Sequence, residues 1–521
     1  MIRSPIPPQQ GAVAIDYIVD GPRTVASVWR EESRLLGMYY AEIEASADQE
    51  PNFVERERVV DTLSALGERK RVYGDAALCL TVETSNRLPF LGDFDDTGIM
   101  RALLDPAGSE RRTQENGREG LETPKQASKD RVLDIAPRYA GLVAEIQAQQ
   151  LGRVYYDIEQ PTVAPTVLMG INGLGINTGV MERLGARYSA QEQTANRQLK
   201  ELAGRAINVN NAEDVAQYLY GDLGLNPPYY TSKGNPAIDK EALQTLADAH
   251  DAPGIILGAR EAIRIRRAIE GLLERVERAS GRVYANINQL GTCTGRFSCS
   301  VPNLLALPKE ILEGIEAEPD HVLMEADFSQ FELLIFANLC QDPVLLETFR
   351  RGEDLHRLSA AAIFGVSAEA VTPEQRAQGK QRNFAMLYGS GIDTELYPIA
   401  AQWCNDTQTR AAMNQSVRSL HGRRRYLSPQ EAYRNTINAI IQATGADILK
   451  LALVRLHDRL PSDVRMLLPV HDAVLLEVPR DLVFQIKECV IASMQFQPHG
   501  FTVPLKVDVH TGRTWAECKA S

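Results

Sequence analysis

Apolar positions follow two different periods along the chain. Short apolar runs typical of strands occur at GAVAIDYIVDG (11–21), HVLMEADFSQF (321–331) and RMLLPVHDAVLLEVP (465–479). From about residue 155 to residue 285, apolar residues recur every three or four positions, as in GAREAIRIRRAIEGLLERVERAS (258–280), which predicts helices. Helical patterns return between the last two apolar runs. The chain is therefore predicted to be a mixed α+β protein.

The first 150 residues mix both patterns. Residues 59–66 predict a helix, and FDDTGIMRALLDP (94–106) predicts a loop followed by a helix. Residues 105–131 are polar and rich in turn formers, which predicts a long loop or linker.

Two strand predictions each end at a carboxylate. The run at 321–331 is apolar up to Asp327 and then becomes helical in period, and apolar runs flank His471–Asp472 as in a hairpin with this dipeptide near its turn. Burying a carboxylate without a partner is costly, so each aspartate is either a turn residue or a functional one. On adjacent strands the two could hold two Mg²⁺ ions for in-line phosphoryl transfer.

A helix start precedes the segment RAQGKQRNFAMLYG (376–389). Thr372 can cap, Pro373 suits the first helical position, and Gln375 completes a capping box. Gly389 is a natural stop.

Residues four positions apart form one stripe on this helix, because the row drifts by only about 40° per step. The stripe consists of Arg376, Lys380, Phe384 and Tyr388. Two cations followed by two rings suit a ligand with phosphates at one end and a base at the other. A surface helix with an aromatic end remains the alternative interpretation.

Composition narrows the class of protein. The 521 residues allow two to four domains. No apolar run approaches the roughly 18 residues of a membrane helix, and MIRSPIPPQQ has no signal-peptide core, which predicts a cytoplasmic protein of a bacterial or phage-infected cell. Seven scattered cysteines disfavour structural zinc and a disulfide framework.

The net charge of −12 argues weakly against nucleic-acid binding, because local basic patches decide such binding. Candidate patches are RIRR (264–267), GRRRY (422–426) and the stripe.

Three motifs together resemble family A DNA polymerases, the DNA polymerase I family. DFSQFEL (327–333), RAQGKQRNFAMLYG (376–389) and VHDAV (470–474) resemble its motifs A, B and C, in the family's order. Further matches are TGRFSCSVPNLLALP (294–308), GEDLHRLSAAAIFG (352–365), HGRRRYL (421–427), RNTINAIIQATGADILK (434–450) and PLKVDVHTGRTWAE (504–517). The resemblance covers about residues 155–518.

The resemblance implies a right-hand polymerase behind an α/β, RNase H-like exonuclease domain. The expected domains are the exonuclease-like domain (1–150), the thumb and start of the palm (151–290), the palm with motif A (291–343), the fingers with motif B (344–455) and the palm with motif C (456–521).

The resemblance also implies roles for individual residues, according to their positions in the matching motifs. Asp327, Asp472 and the carbonyl of Phe328 are expected to bind two Mg²⁺ ions, for which Mn²⁺ can substitute. Residues expected to bind the incoming dNTP are Arg376, Lys380, His356, Phe384, Tyr388, Gln330 and Glu332. Lys380 is the expected proton donor to pyrophosphate, and Glu332 is the expected steric gate against a 2′-hydroxyl. Residues expected to contact primer–template DNA are Arg296, Arg434, Asn438, Gln442 and His471.

Four positions depart from the family pattern. Ala473 replaces the usual glutamate after the His–Asp pair, Leu334 an arginine of motif A, and Leu305 a DNA-facing glutamine. Gly379 replaces the alanine before the motif B lysine, and an interior glycine costs a helix about 1 kcal/mol, so it is expected to loosen the fingers. None of these changes removes an essential group.

The N-terminal segment resembles the family's 3′–5′ exonuclease domain only faintly. Asp16 is followed by Ile18 where a DxE motif belongs, Cys79 occupies the place of the second aspartate, and no YxxxD motif precedes residue 155. Because two-metal hydrolysis needs its carboxylates, a degenerate domain without proofreading is expected.

The resemblance implies a monomeric DNA polymerase that binds no membrane. Two other functions remain as alternatives. A single-subunit RNA polymerase has related motifs, although Glu332 argues against it. A catalytically inactive DNA-binding or scaffold protein would explain the eroded N-terminus, but Asp327, Asp472, Arg376 and Lys380 are all retained.

Overall fold

The fold is seen in a computed structural model, which describes residues 12–20, 34–42, 51–66, 70–73, 75–77, 79–80, 94–106, 124–388, 392 and 394–520. Two compact units divide the chain. Unit 1 comprises Met1–Gly173, Ala285–Leu305 and Met324–Thr511, and unit 2 comprises Leu174–Tyr284, Ala306–Leu323 and Gly512–Ser521.

A five-stranded sheet organises the N-terminal part of unit 1. Its strands are β1 (Val13–Asp20), β2 (Arg34–Glu42), β3 (Asn52–Glu55), β4 (Arg71–Tyr73) and β5 (Phe94–Asp96), in the order β3-β2-β1-β4-β5. The pairs β1–β2 and β2–β3 are antiparallel, whereas β1–β4 and β4–β5 are parallel. The helices are α1 (Val59–Leu66), α2 (Thr97–Leu104) and α3 (Pro124–Ala148). This topology is the expected RNase H-like arrangement.

The sequence predicted parts of this region correctly. The strand at 11–21 and the helix at 59–66 are confirmed as β1 and α1. The predicted loop at 105–131 is wrong from Pro124 onward, where α3 begins, because Val132, Ile135 and Tyr139 give that helix a buried face. Residues 107–123 lie outside the described residues.

The remaining elements follow in chain order. They are α4 (Gln160–Asn172), β6 (Leu174–Gly175), α5 (Thr178–Ala203), α6 (Ala212–Ala216), α7 (Lys240–Leu246), α8 (Asp251–Leu273), β7 (Arg282–Val283), β8 (Asn286–Asn288), β9 (Ser298–Ser300), β10 (His321–Phe328), α9 (Phe331–Cys340), α10 (Pro343–Arg350), α11 (Leu355–Phe364), α12 (Pro373–Leu387), α13 (Pro398–Asn414), β11 (Ser416–Arg418), β12 (Arg424–Tyr426), α14 (Pro429–Arg434), α15 (Thr436–His457), β13 (Arg465–Val470), β14 (Ala473–Pro479), α16 (Val483–Met494), β15 (Val507–Gly512) and α17 (Trp515–Ala520). Short π-helical segments, Val154–Glu159 and Gln217–Asp222, precede α4 and follow α6.

A four-stranded sheet in the order β13-β14-β10-β15 forms the second centre of unit 1. The apolar helix α15 packs on α4, α9 and α16, and most of its residues are buried. It is the one helix among the described residues that is long and apolar enough to cross a membrane. Because 78% of its most apolar window is buried in the protein, it reads as a core helix.

A buried ionic cluster ties α15 to the segments before α4 and β12. Glu159 accepts hydrogen bonds from Arg423 and from Lys450, the latter at 2.6 Å, and the Arg423 guanidinium also binds Asp447 at 2.6 Å. All four side chains are at most 3% exposed. Burial would raise the pKa of Glu159, but Arg423 and Lys450 lower it below its ordinary value. Two positive and two negative charges therefore compensate one another in the interior.

Unit 2 is built on the long helices α5 and α8, which pack along each other. The helix predicted at 258–280 is confirmed up to Leu273, where α8 ends, and Ile265, Ile269 and Leu272 of its apolar stripe are buried. Val276, the last apolar position of the predicted stripe, follows the helix and is only partly buried. Arg266 joins the two helices through Glu192 at 2.7 Å.

Candidate active site

The two strand-end carboxylates lie on neighbouring strands. Val470 pairs with Ala473, so His471 and Asp472 form the two-residue turn of the β13–β14 hairpin, and His471 has the positive φ of 57° that such turns require. The backbone N–H of Phe328 donates to the carbonyl of Asp472 at 3.3 Å. The predicted hairpin is therefore confirmed, and Asp327 and Asp472 emerge at the same end of β10 and β14, both partly exposed.

A third carboxylate, which the sequence did not single out, lies on the other side of β10. Asp508 on β15 accepts a hydrogen bond from the Ser329 hydroxyl at 2.5 Å, and the Ser329 N–H donates to the carbonyl of Lys506 at 2.8 Å. These two hydrogen bonds hold the backbone that follows Asp327 against β15. The sequence signal for Asp508 was the alternation of apolar and polar residues in PLKVDV. In the structure this alternation leaves Asp508 at an exposed strand position beside buried apolar ones.

Helix α12 begins as the sequence predicted. The Thr372 side chain accepts from the Gln375 N–H, and the Gln375 side chain accepts from the Thr372 N–H, so the capping box is confirmed with Pro373 in the first turn. The helix is described to Leu387, and Gly389 lies outside the described residues.

The stripe of α12 faces outward. Lys380, Phe384 and Tyr388 are exposed and Arg376 is partly exposed, whereas Gly379, Asn383, Met386 and Leu387 are buried on the other face. The Lys380 ammonium lies 5.7 Å from the centroid of the Phe384 ring. The cations and rings are thus presented together to solvent, as a site for an anionic aromatic ligand would require.

Arg376 is held by a carboxylate that the sequence did not identify. Its Nε donates to Asp354 Oδ2 at 2.6 Å, while Asp354 Oδ1 caps α11 by accepting from the His356 and Arg357 N–H groups. Burial acts to raise the pKa of Asp354, but Arg376 lowers it below its ordinary value. The sequence signal for this carboxylate was its position, because Asp354 stands at the start of an amphipathic segment, where a helix cap usually lies.

His356 is nearly buried, at 6% exposure. Its Nδ1 lies 3.1 Å from the Asn383 Nδ2, and its ring stacks near that of Phe384. Burial lowers the pKa of His356, and the charges of Arg376 and Lys380 lower it further against the opposite effect of Asp354. The imidazole is therefore neutral near pH 7.

Gly379 lies where α12 crosses α11. A Cβ at this position would meet the carbonyl oxygen of His356 at 2.2 Å and the Ala360 nitrogen at 2.9 Å. The glycine thus permits a close approach of two helices, and the expectation that it loosens the fingers overlooked this contact.

Replacing Gly379 with alanine is expected to lower the free energy of unfolding. Overpacking costs about 1–3 kcal/mol, which exceeds or offsets the gain of about 1 kcal/mol in helix propensity. Urea denaturation measures the change, and Ala377→Gly at an exposed site of α12 calibrates the propensity effect. A stabilisation of about 1 kcal/mol by Gly379→Ala would contradict the contact.

Glu332 and Arg296 bind each other. Arg296 Nη2 and Glu332 Oε1 are 2.6 Å apart, and the side chains are 36% and 26% exposed.

The side chain of Gln330, just before α9, accepts a hydrogen bond from the Leu355 N–H at 3.3 Å. Gln330 therefore links motif A to the start of α11, which carries His356.

The other expected DNA contacts are placed at accessible positions. Asn438 and Gln442 lie one turn apart on α15 with partly exposed side chains, and neither amide is hydrogen-bonded within the described part of the chain. Arg434 in the last turn of α14 and His471 in the hairpin turn are exposed.

The basic patches read from the sequence are largely neutralised. Arg264 binds Glu261 at 2.6 Å, Arg266 binds Glu192 and Glu270, and Arg423 is buried in the ionic cluster. The expectation that these arginines form cationic surface patches is wrong, because acidic partners from neighbouring turns and elements meet them.

Acidic residues of the N-terminal sheet are engaged within the protein. Asp16, 2% exposed, binds Arg131 at 3.0 Å. Asp95 binds Lys70 at 2.9 Å and accepts hydrogen bonds from Tyr139 and Tyr155.

Asp96 is a second buried acid of β5 and caps α2 by accepting from the Ile99 N–H. Burial and the charge of Asp75 raise the pKa of Asp96 to about 7. Cys79 is also buried. Asp96 and Cys79 thus lie inside the domain and not at its surface.

The donor chemistry at the ends of β10 and β14 fits Mg²⁺. Carboxylate and carbonyl oxygens are its preferred ligands, and it commonly binds through one or two carboxylates with substrate phosphates completing the shell. Among the described residues no group of three His, Cys, Asp or Glu side chains is placed to hold a metal ion. Asp327, Asp472 and the Phe328 carbonyl would thus need oxygens from a substrate.

Comparison with a solved structure identifies the class of fold. The chain superposes with a TM-score of 0.84 on the POL domain of Pol1 from M. smegmatis, solved in complex with DNA primer-template and dNTP, at 24% identity over 97% of this chain and 96% of that one. The fold is that of a right-hand polymerase domain with an N-terminal exonuclease-like domain.

Sequence comparison then gives the family. Residues 178–394 and 393–517 match the model of DNA polymerase family A. The thermostable DNA polymerase I of Thermus filiformis is 30% identical over 89% of this chain, and the DNA polymerase I of Geobacillus stearothermophilus is 32% identical over 73% of it. The chain belongs to DNA polymerase family A. It spans 60% and 48% of the length of these two relatives.

Proposed function

We propose that this chain is a template-directed DNA polymerase that adds deoxynucleotides to a primer 3′-hydroxyl in DNA replication or repair. The observation that supports the proposal is the backbone hydrogen bond between the Phe328 N–H and the Asp472 carbonyl, which joins the segments that carry the motif A and motif C aspartates. A relative of the same fold was solved with DNA primer-template and dNTP, which supports these substrates. We further propose that the chain acts as a monomer.

Asp327, Asp472 and the Phe328 carbonyl would hold two Mg²⁺ ions, with Mn²⁺ able to substitute. When bound, such ions activate the attacking hydroxyl and stabilise the leaving oxygen. The protein supplies one carboxylate near the end of β10 and one in the β13–β14 turn, and the Ser329–Asp508 bond fixes the turn that follows Asp327.

The α12 stripe would bind the incoming nucleotide. Arg376, Lys380 and His356 meet the triphosphate, and Lys380 protonates the leaving pyrophosphate. Phe384 and Tyr388 offer rings to the sugar and base. Gln330 holds the start of α11 in place from motif A.

Primer–template DNA would be contacted by Arg296, Arg434, Asn438, Gln442 and His471. Amide side chains such as those of Asn438 and Gln442 suit the minor groove, where correct base pairs share an acceptor pattern. The contact then reports pair geometry rather than sequence.

Proofreading is not part of the proposed function. Asp16 is bound by Arg131, and Asp95 is surrounded by Lys70, Tyr139 and Tyr155. These carboxylates already have internal partners, so the N-terminal domain is proposed to be structural.

A primer-extension assay with Mg²⁺ and all four dNTPs, scored for extension and for 3′ trimming, tests the function. Extension with dNTPs and no trimming of a mismatched 3′ end is expected. Extension with NTPs alone would indicate an RNA polymerase, and DNA binding without extension would indicate a scaffold protein. Metal-dependent trimming abolished by Asp16→Ala would overturn the structural role of the N-terminal domain.

Replacing Glu332 with alanine is expected to increase ribonucleotide incorporation relative to deoxynucleotide incorporation by about 10- to 200-fold, the range that one missing steric contact allows. The larger space would admit a 2′-hydroxyl. Competition between dATP and ATP in single-nucleotide extension measures the ratio. Glu332→Gln keeps the volume but loses the charge that binds Arg296, so it should retain discrimination; equal loss in both variants would assign selectivity to the ion pair.

A further inference from the structure

The contact between α11 and α12 contains a chain of polar groups that the proposed function does not use. The Ser359 hydroxyl donates to Asn383 Oδ1 at 2.7 Å, and the Asn383 amide nitrogen lies 3.1 Å from His356 Nδ1. Asn383 is 2% exposed and Ser359 is 8% exposed. Because Oδ1 accepts from serine, the amide N–H₂ faces the ring and donates to it.

Gly379 makes this chain of contacts possible. It lies one turn before Asn383 on the same face of α12, and its missing Cβ lets α12 approach the backbone at His356 and Ala360. The asparagine side chain is short, so it reaches the imidazole only at this helix separation.

The second ring nitrogen of His356 has a different environment. Within the part of the chain that the structure describes, Nε2 has no hydrogen-bond partner, and it is not among the polar atoms buried without one. Nε2 is therefore accessible to solvent. The Phe384 ring stacks near the imidazole, and the Lys380 ammonium lies over the Phe384 ring.

The position of the imidazole proton decides what Nε2 can do. A neutral imidazole donates from one nitrogen and accepts at the other. With the proton on Nδ1, Nε2 would present a lone pair toward an anionic phosphate, which is repulsive. With Nδ1 occupied as the acceptor of the Asn383 amide, the proton resides on Nε2.

We propose that Asn383 is a positioning residue that keeps His356 neutral with its proton on Nε2, so that this nitrogen donates a hydrogen bond to the triphosphate of the incoming nucleotide. The proposal rests on the proposed polymerase function for its ligand, but the tautomer is a property of the protein alone. Charged groups that face the ring are Asp354 on the α11 side and Arg376 and Lys380 on α12.

The tautomer is tested directly by ¹⁵N NMR of the full chain labelled at histidine, with the His356 signals assigned from their loss in His356→Gln. At pH 7 the signals are expected to show a protonated Nε2 and an unprotonated Nδ1. A neutral ring protonated at Nδ1, or an imidazolium at pH 7, would overturn the proposal whether or not the chain extends primers.

Asn383→Asp gives the functional test with nearly the same side-chain shape. A carboxylate accepts from Nδ1–H, so the pKa of His356 should rise. Below that raised pKa the imidazolium still donates from Nε2. Above it the remaining proton stays on Nδ1, and the dNTP KM should increase by about 10-fold or more while kcat changes little.

Primer extension between pH 6.5 and 9 measures this profile. The wild-type KM should be flat over the range, and Gln378→Glu, which adds the same charge at an exposed position of α12, should also be flat. If Asn383→Asp moves the proton to Nδ1 by NMR but leaves KM flat, His356 does not donate to the triphosphate and the proposal fails. If no variant extends primers while the NMR result holds, the proposed function fails and the tautomer assignment stands.

Discussion

Asp472→Asn is expected to reduce primer extension by about 10³-fold or more, which corresponds to about 4 kcal/mol of lost transition-state stabilisation. The substitution keeps the shape of the side chain and the backbone carbonyl that accepts from Phe328. It removes one of the two negative charges that would hold the metal ions, and phosphoryl transfer depends almost wholly on positioning and charge stabilisation. Single-turnover extension of a primer–template with Mg²⁺ measures the rate.

Asp508→Asn is the matched control for this result. Asp508 lies on β15 of the same sheet and binds Ser329, close in sequence to Asp327. The hydroxyl can still donate to an amide oxygen, so extension should fall by no more than about 10-fold, the value of one hydrogen bond. Loss of activity confined to Asp508→Asn would move the metal site to β15. Equal thermal unfolding of all three proteins excludes a folding defect.

Local signals predicted the elements that depend on short-range chemistry. The capping box at Thr372 and Gln375, the strand ending at Asp327 and the His471–Asp472 turn are each determined by a few neighbouring residues. Hydrophobic periodicity and the residue types that favour caps and turns are sufficient to predict such features. The loop predicted at 105–131 is wrong from Pro124 onward, because α3 is stabilised by the core on which its apolar side chains pack.

Ion pairs within the site could not be predicted, because they join elements far apart in the chain. Arg376 binds Asp354 from the start of α11, and Glu332 binds Arg296 from a loop 36 residues earlier. Both pairs are partly exposed, and exposed ion pairs contribute about 0–1 kcal/mol. Under the proposed function, a triphosphate or a primer terminus would therefore replace these partners at small cost.

The buried ionic cluster is the feature that sequence reasoning misread most. GRRRY was interpreted as a basic surface patch, but Arg423 lies inside the protein between Glu159 and Asp447. Arg423 itself precedes β12, whereas its two carboxylate partners come from the segment before α4 and from α15. Gly295, with a φ of +79°, packs against the same guanidinium, and any Cβ there would lie about 2.7 Å from it. Only the assembled fold brings these groups together.

Arg423→Met is accordingly expected to lower the free energy of unfolding by about 3–5 kcal/mol, the usual effect of removing one partner of a buried ion pair. Methionine fills part of the space, but Lys450 alone would then face two buried carboxylates. The hydrophobic contacts of the methionine cannot offset the free-energy cost of an unpaired charge in the protein interior, where the dielectric constant is low. Urea denaturation followed by circular dichroism measures the midpoint and its slope.

Arg351→Met separates this effect from the loss of an arbitrary arginine. Arg351 is 63% exposed and binds Glu347 one turn away, so its replacement should change the unfolding free energy by less than about 1 kcal/mol. A double variant, Arg423→Met with Asp447→Asn, removes the carboxylate left without a cation, keeps the Glu159–Lys450 pair and should recover part of the loss. If Arg423→Met alone were as stable as Arg351→Met, the cluster would not be a buried ionic network in solution. If the double variant were less stable than Arg423→Met, hydrogen bonding by the Asp447 carboxylate, such as that from Ser419 at 2.6 Å, would outweigh the cost of its charge.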